Sequence, residues 1–105
     1  MAEKIKDDDF QSRVLDSKLP SLILFYADWS GPCRMMDFSI DEVAEDFSGK
    51  ASCFKMDIDE GPNTSAEYGV RSLPTVKIFR SGRELKTLVG MVRGVDIRLA
   101  LDDVI

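Results

Sequence analysis

The sequence predicts an α/β protein built as a three-layer sandwich, in which a central mixed sheet lies between helices. Apolar runs of strand length alternate with segments of helical periodicity, in the order helix, strand, helix, strand, helix, hairpin, helix. The 105 residues, 44% apolar and 31% charged, suit one compact core. Internal repeats, low-complexity segments and linkers are not found, so we expect a single domain over residues 1–105.

The first helix and the first strand have clear signals. Asp7-Asp8-Asp9 precedes an amphipathic segment with Phe10, Val14 and Leu15, and acidic residues suit the N-terminal end of a helix. We therefore interpret the acidic run as a helix start rather than as a metal site. Residues 22–27 form an unbroken apolar run, which indicates a strand buried on both faces of a parallel or mixed sheet.

The middle of the chain predicts a long helix and a second strand. Apolar residues recur at helical spacing after Gly31-Pro32, and Gly49 is a plausible stop. They are Met36, Ile40, Val43, Ala44 and Phe47. Residues 51–58 alternate, with Phe54, Met56 and Ile58 on one face and Cys53 on the other. We expect Cys53 to pack as a small apolar side chain without forming a disulfide with Cys33.

The last third predicts a short helix, a hairpin and a closing helix. Pro62 suits the first turn of a helix that reaches Tyr68. Residues 75–79 and 84–89 flank the turn signal Arg80-Ser81-Gly82-Arg83, which is typical of a β-hairpin. From Gly94 onward, apolar residues again recur at helical spacing, as expected for a closing amphipathic helix.

Composition excludes several classes of function. A net charge of -5 argues against a nucleic-acid partner, because phosphates require a basic face. No apolar stretch has the length of a membrane helix, and residues 1–11 lack the apolar core of a signal peptide. Two cysteines are too few for a disulfide framework and favour a reducing compartment, the cytoplasm. The absence of histidine removes His-based zinc sites and Ser-His or Cys-His nucleophile pairs, so we expect no metal and no cofactor.

Between the first strand and the long helix lies Trp29-Ser30-Gly31-Pro32-Cys33. This segment resembles the thioredoxin active-site motif Trp-Cys-Gly-Pro-Cys, with serine in place of the first cysteine. The resemblance continues in register along nearly the whole chain. Its further matches are Lys55, Asp59, Tyr68-Gly69-Val70-Arg71, Leu73-Pro74-Thr75, Ser81-Gly82 and Val89-Gly90.

The resemblance implies a thioredoxin-like fold and thiol–disulfide exchange. In that family the first cysteine is a thiolate stabilised by a helix N-terminus, and the second thiol, one turn later, resolves the mixed disulfide. Carried over, Ser30 and Cys33 occupy the two catalytic positions. The implied substrate-binding residues are Trp29, Gly31, Pro32, Leu73, Pro74, Thr75 and Gly90, with a cis bond before Pro74. The implied partners are disulfide-containing proteins and a thioredoxin reductase, and we expect a monomer.

Ser30 interrupts this chemistry. A serine hydroxyl is too weak an acid to attack unaided, and the chain has no histidine to activate it. The structural alternative for Ser30 is a helix N-cap. We therefore expect the protein to be inactive, or trapped, in its present form.

Two hypotheses account for Ser30. In the first, the protein is a redox-active oxidoreductase in which Ser30 is an engineered replacement for cysteine. In the second, it is a natural binding module that kept the groove and lost redox chemistry. Leu24 and Phe38 support the second hypothesis, because they stand where the family carries a buried aspartate and a helix-kinking proline. We expect Leu24 to leave Cys33 without its proton acceptor and Phe38 to leave the long helix straighter.

Overall fold

The computed structural model describes residues 2–105. The chain begins with a two-residue strand and a short helix, and then alternates strands and helices before a final hairpin and helix. The elements are β1 (Glu3–Lys4), α1 (Asp7–Phe10) running into a π-helical turn (Gln11–Leu15), β2 (Ser21–Tyr26), α2 (Gly31–Asp46), β3 (Ser52–Asp57), α3 (Pro62–Glu67), β4 (Thr75–Arg80), β5 (Arg83–Val89) and α4 (Gly94–Asp102).

The five strands form one mixed sheet in the order β1-β3-β2-β4-β5. β3 is parallel to both β1 and β2, whereas β4 is antiparallel to β2 and β5. This arrangement confirms the predicted α/β architecture with a central mixed sheet. β1 was not anticipated, because Glu3 and Lys4 are exposed charged residues with no strand pattern.

Two apolar clusters cover the two faces of the sheet and make the three layers. β2 supplies both, since Leu22 and Leu24 join one cluster while Ile23 and Phe25 join the other. The first cluster packs under α2 and α4 and contains Met36, Ile40, Val43, Ile97 and Leu101. The second lies under α1, the π-helical turn and α3 and contains Phe10, Val14, Phe54, Met56 and Phe79. The prediction of a strand buried on both faces is therefore confirmed.

The predicted turns and helix ends are also found. Ser81 and Gly82 form the two-residue connection between β4 and β5, and both have positive φ, 55° and 77°. Positive φ at both central residues is the requirement of a type I′ hairpin turn. Gly49, the predicted stop of the long helix, has φ of 83° and follows α2 by three residues. α2 runs as a continuous α-helix past Phe38, whose side chain is 72% exposed.

The acidic run at the N-terminus caps two helices. Asp9 accepts a hydrogen bond from the N–H of Lys6, at the start of its own helix. Asp7 instead accepts hydrogen bonds from the N–H groups of Asn63 and Thr64, at 3.0 and 2.9 Å, and so caps α3. The interpretation of this run as a helix start is correct for Asp9, while Asp7 serves a helix that begins 55 residues later in the chain.

Candidate active site

The segment between β2 and α2 holds the two predicted catalytic positions. Ser30 has extended backbone angles (φ −98°, ψ 115°) and immediately precedes α2, whose first turn contains Gly31 and Pro32. Ser30 thus occupies the N-cap position, as expected, but its hydroxyl makes no capping hydrogen bond within the part of the chain that the structure describes. Its own N–H donates to Ala27 O at 3.1 Å. The N–H groups at the start of α2 are therefore left for a group presented from outside.

Cys33 lies in the first turn of α2 and is only 3% exposed. Its thiol is free, as is that of Cys53. Cys53 packs in the apolar cluster under α2, as predicted, and burial raises the pKa of its thiol to about 11. A thiol at position 30 would lie at the N-terminal end of α2, with Cys33 three residues further on. In thiol–disulfide exchange the first thiol attacks the substrate and the second resolves the mixed disulfide, and these two positions suit those two steps.

The predicted groove residues come from two adjacent strands. The Leu73–Pro74 peptide bond is cis, as predicted. Thr75 begins β4 beside Phe25 of β2, and the Gly90 N–H donates to Pro74 O at 2.8 Å. Gly90 has φ of 84°, a conformation that favours glycine. Because β2 leads into Ser30, the loop before β4 and the residues after β5 lie at the same edge of the sheet as the N-terminus of α2.

Trp29 is a surface residue in this structure. Its side chain is 70% exposed, which excludes core packing, the alternative role for a tryptophan at this place. Val89 and Met91, on either side of Gly90, are also exposed apolar residues. Exposed apolar side chains near an edge where backbone turns sharply suit the binding of an extended segment of another protein.

A cavity of about 140 Å³ has Cys33 in its wall. The backbone after β2 and the first turns of α2 form most of its lining, with β1 closing one side. Its other lining residues are Lys4, Tyr26, Ala27, Asp28, Arg34 and Asp37. The Cys33 thiol is thus shielded from the surface but borders a cavity whose wall also contains polar side chains.

Next to this cavity, Lys55 is buried and paired twice. Its side chain is 5% exposed, and Nζ lies 2.5 Å from Asp37 Oδ1 and 3.0 Å from Asp41 Oδ1. Burial alone lowers the pKa of Lys55, but the hydrogen bonds to Asp37 and Asp41 outweigh it and raise the pKa overall. Burial likewise works to raise the pKa of Asp41, while hydrogen bonds from Ala2 N–H and Lys55 bring it below its usual value. Lys55 and Asp41 therefore both stay charged at neutral pH.

Leu24 lies in the sheet interior, at the position where the resemblance led us to expect a buried carboxylate in other members of the family. It pairs directly with Lys55 across β2 and β3 and is fully buried among apolar side chains. The sequence predictions did not include Asp37 or Asp41. Their signal is the spacing of Cys33, Asp37 and Asp41 at i, i+4 and i+8, which places all three along one stripe of α2.

Within residues 2–105, no group of three or more His, Cys, Asp or Glu side chains is placed to hold a metal ion. No helix in that range is both long and apolar enough to cross a membrane.

Comparison with known proteins agrees with this geometry. The family model described as Thioredoxin matches residues 1–103. The chain is 45% identical to "Thioredoxin" of Rickettsia conorii over 91 residues, 87% of each chain. It is 44% identical to "Thioredoxin" of Synechocystis sp. over 89 residues, 85% of this chain and 83% of that protein. It is 42% identical to "Thioredoxin M-type, chloroplastic" of Chlamydomonas reinhardtii over 91 residues, 87% of this chain and 65% of that protein.

A matching family model over nearly the whole chain, relatives above 40% identity, and a mixed sheet with Cys33 in the first turn of α2 all agree. On this evidence the chain belongs to the thioredoxin family.

Proposed function

We propose that this protein is a thiol–disulfide oxidoreductase scaffold that binds disulfide-containing proteins but does not reduce them, because Ser30 occupies the position of the attacking cysteine. The observation that supports this most directly is the placement of Ser30 before α2, with buried Cys33 one turn later and Pro74 and Gly90 at the same sheet edge. These placements support a substrate groove beside α2 in which only the sulfur at position 30 is replaced.

The chemistry that a sulfur at position 30 would perform follows from this placement. Its thiolate, stabilised by the N–H groups of α2, attacks one sulfur of a substrate disulfide, and the other substrate sulfur leaves as a thiolate. The Cys33 thiolate then attacks the sulfur at position 30. A new disulfide forms within the protein, and the second substrate sulfur leaves. The substrate gains two electrons and two protons, and the protein loses them.

Ser30 stops the first of these steps. Its hydroxyl remains protonated at neutral pH, no histidine is present in the chain to remove that proton, and no capping bond directs it. Cys33 cannot substitute for it, because a buried thiol reaches a bulky protein disulfide poorly.

A second candidate function is a natural binding module without redox chemistry. The observation that favours it is that Leu24 is buried in the apolar cluster under α2, while the neighbouring Lys55 is paired with Asp37 and Asp41 of that helix. Under the first candidate, Ser30 is an engineered replacement, and under the second it is native. The codon at position 30 in the gene of the source organism distinguishes these origins.

We further propose that the partners are disulfide-containing proteins and a thioredoxin reductase, and that the protein acts as a monomer in the cytoplasm. The two free, buried cysteines and the net charge of -5 support a reducing compartment and protein partners.

The test is reduction of insulin by dithiothreitol, followed as turbidity. The protein as it stands should match the background rate, and Ser30→Cys should exceed it clearly. Ser30→Ala is the matched control and should stay at background. If Ser30→Cys stays there too while remaining folded, the oxidoreductase proposal fails and the binding module replaces it.

A further inference from the structure

Cys33 and Asp37 lie one helical turn apart on α2, and both line the cavity of about 140 Å³. Cys33 is buried, whereas the Asp37 side chain is 59% exposed. The cavity therefore connects a buried thiol to a carboxylate that reaches solvent. Its volume is sufficient for a few water molecules, at about 30 Å³ each.

The position of Asp37 is fixed by Lys55. The 2.5 Å contact between Lys55 Nζ and Asp37 Oδ1 ties one carboxylate oxygen to a buried ammonium. Asp37 also lines the cavity, and the described hydrogen bonds and ion pairs include none to its other carboxylate oxygen. Asp41 also bonds Lys55 but does not line the cavity, so the two aspartates share a cation and differ in access to Cys33.

The other titratable groups that face this cavity are poorer proton acceptors. Lys4 of β1 and Arg34 of α2 line the cavity but are basic side chains that offer no carboxylate. Burial raises the pKa of Tyr26, with help from nearby carboxylates, so its phenol stays neutral. Asp28 is the second carboxylate in the wall, but it is exposed in the loop before the motif. The described ion pairs and hydrogen bonds include none that orients its side chain.

From these contacts we infer that Asp37 accepts the proton of Cys33 in the resolving step, in place of the buried carboxylate whose position Leu24 occupies. This inference rests on the proposed function, because the step exists only when position 30 carries sulfur. The Cys33 proton passes to Asp37, directly or through cavity water, and the Cys33 thiolate attacks the sulfur at position 30. The bond between that sulfur and the substrate breaks, and the departing thiolate takes up a proton from solvent. Asp37 then returns its proton to solvent.

The pH dependence of this step distinguishes a carboxylate acceptor from hydroxide. Carboxylic acids of ordinary acidity are ionised throughout the neutral range, so a step that uses a carboxylate acceptor runs at a nearly constant rate between about pH 5.5 and 7.5. Without it, the rate depends on the thiolate population and rises about tenfold per pH unit. General bases contribute typically 10²–10⁴-fold, and a carboxylate held by an ammonium is a weak one. We therefore expect about a hundredfold effect near pH 6, at the low end of that range.

The experiment mixes reduced Ser30→Cys protein with Ellman's reagent and follows release of the coloured thiol. The first equivalent reports attack by the cysteine at position 30. The second reports attack by Cys33 on the mixed disulfide, at a rate independent of reagent concentration. The same measurement is made in this background with Asp37→Asn, Asp37→Glu, Asp41→Asn and Asp28→Asn, across the pH range, after each fold is confirmed by circular dichroism.

We expect Asp37→Asn alone to slow the second phase about a hundredfold near pH 6 and to convert the level profile into a rising one, with the difference vanishing above about pH 8.5. Asp37→Glu should retain the level profile. The inference is overturned if Asp37→Asn leaves the profile unchanged, if Asp41→Asn or Asp28→Asn has the same effect, or if the parent shows no second phase. Ellman's reagent is a small synthetic disulfide, so its reaction does not depend on binding a protein substrate. If Ser30→Cys shows a normal second phase with Ellman's reagent but fails to reduce insulin, that result counts against the proposed function and not against the role of Asp37.

Discussion

Leu24 and Lys55 are direct neighbours on parallel strands, yet the Lys55 ammonium is bonded to two carboxylates of α2 and to no group of β2. Leu24 itself packs in the apolar cluster under α2 and α4. The buried positive charge of Lys55 is therefore balanced by acidic residues of the helix rather than by an acidic residue of the sheet. An acid introduced at position 24 would stand beside an ammonium whose partners are already in place.

Leu24→Asp should restore the resolving step in the Ser30→Cys, Asp37→Asn protein. The new carboxylate lies beside Lys55, which loses one of its partners in that background, and it supplies a second proton acceptor. We expect the second phase with Ellman's reagent to recover part of its rate near pH 6. Leu24→Asn, similar in size but unable to accept the proton, is the control, and equal recovery with asparagine would contradict this explanation.

The same change should cost stability. It removes a buried leucine from a packed cluster and places a polar group there, and either effect alone is worth a few kcal/mol. We expect the free energy of unfolding in urea to fall by about 2–4 kcal/mol at neutral pH. A stability equal to that of the parent would mean that the side chain leaves the cluster for solvent.

Asp7→Asn should destabilise the protein in a pH-dependent way. Burial works to raise the pKa of Asp7, but hydrogen bonds from Thr64 and Asn63 outweigh it, so the folded-state pKa lies below 3.8. A lowered folded-state pKa means that the carboxylate contributes stability above the unfolded-state pKa, and this contribution is lost as pH falls through the folded-state value. Asparagine keeps one acceptor oxygen and turns an NH₂ group toward the other backbone N–H, so we expect a loss of about 1 kcal/mol at pH 7, the usual contribution of one hydrogen bond, shrinking below about pH 4.

Asp8→Asn is the matched control, because Asp8 is an exposed acid in the same turn. Urea unfolding of the three proteins at neutral and acid pH makes the comparison. Equal losses from Asp7→Asn and Asp8→Asn would show that the charge of the acidic run matters and the cap on α3 does not.

The parts of the fold that sequence could predict are those governed by local periodicity. β2, α2 and the hairpin each repeat apolar residues at the spacing of one regular element, and Ser81-Gly82 carries its turn geometry within two residues. The helix start at Asp9 is local as well. The motif at Ser30 and Cys33 was visible because its residues are adjacent in the chain.

The remainder depends on contacts between residues far apart in sequence. β1 exists because Glu3 and Lys4 pair with Phe54 and Lys55, and nothing in a pair of charged residues encodes that. The role of Asp7 depends on where α3 begins, 55 residues later. The partners of Lys55 required knowledge of how α2 packs on β3, so sequence predicted the missing carboxylate at Leu24 and missed Asp37.

Cys33 and Cys53 should not form a disulfide within one molecule under oxidising conditions. Cys53 pairs with Leu22 near the start of β2, whereas α2, with Cys33, follows the far end of that strand at Tyr26. Four residues of strand separate those levels by about 13 Å, well beyond the 7 Å or so between Cα atoms that a disulfide tolerates. Burial also raises the pKa of Cys53 to about 11, so little thiolate is present at neutral pH to attack. Intact-mass measurement after oxidation, without reduction, should show either two free thiols or a disulfide-linked dimer. If Cys33 forms the dimer, Cys53→Ala should still give it. A monomer lighter by two protons would contradict the placement of these two residues at opposite ends of the sheet.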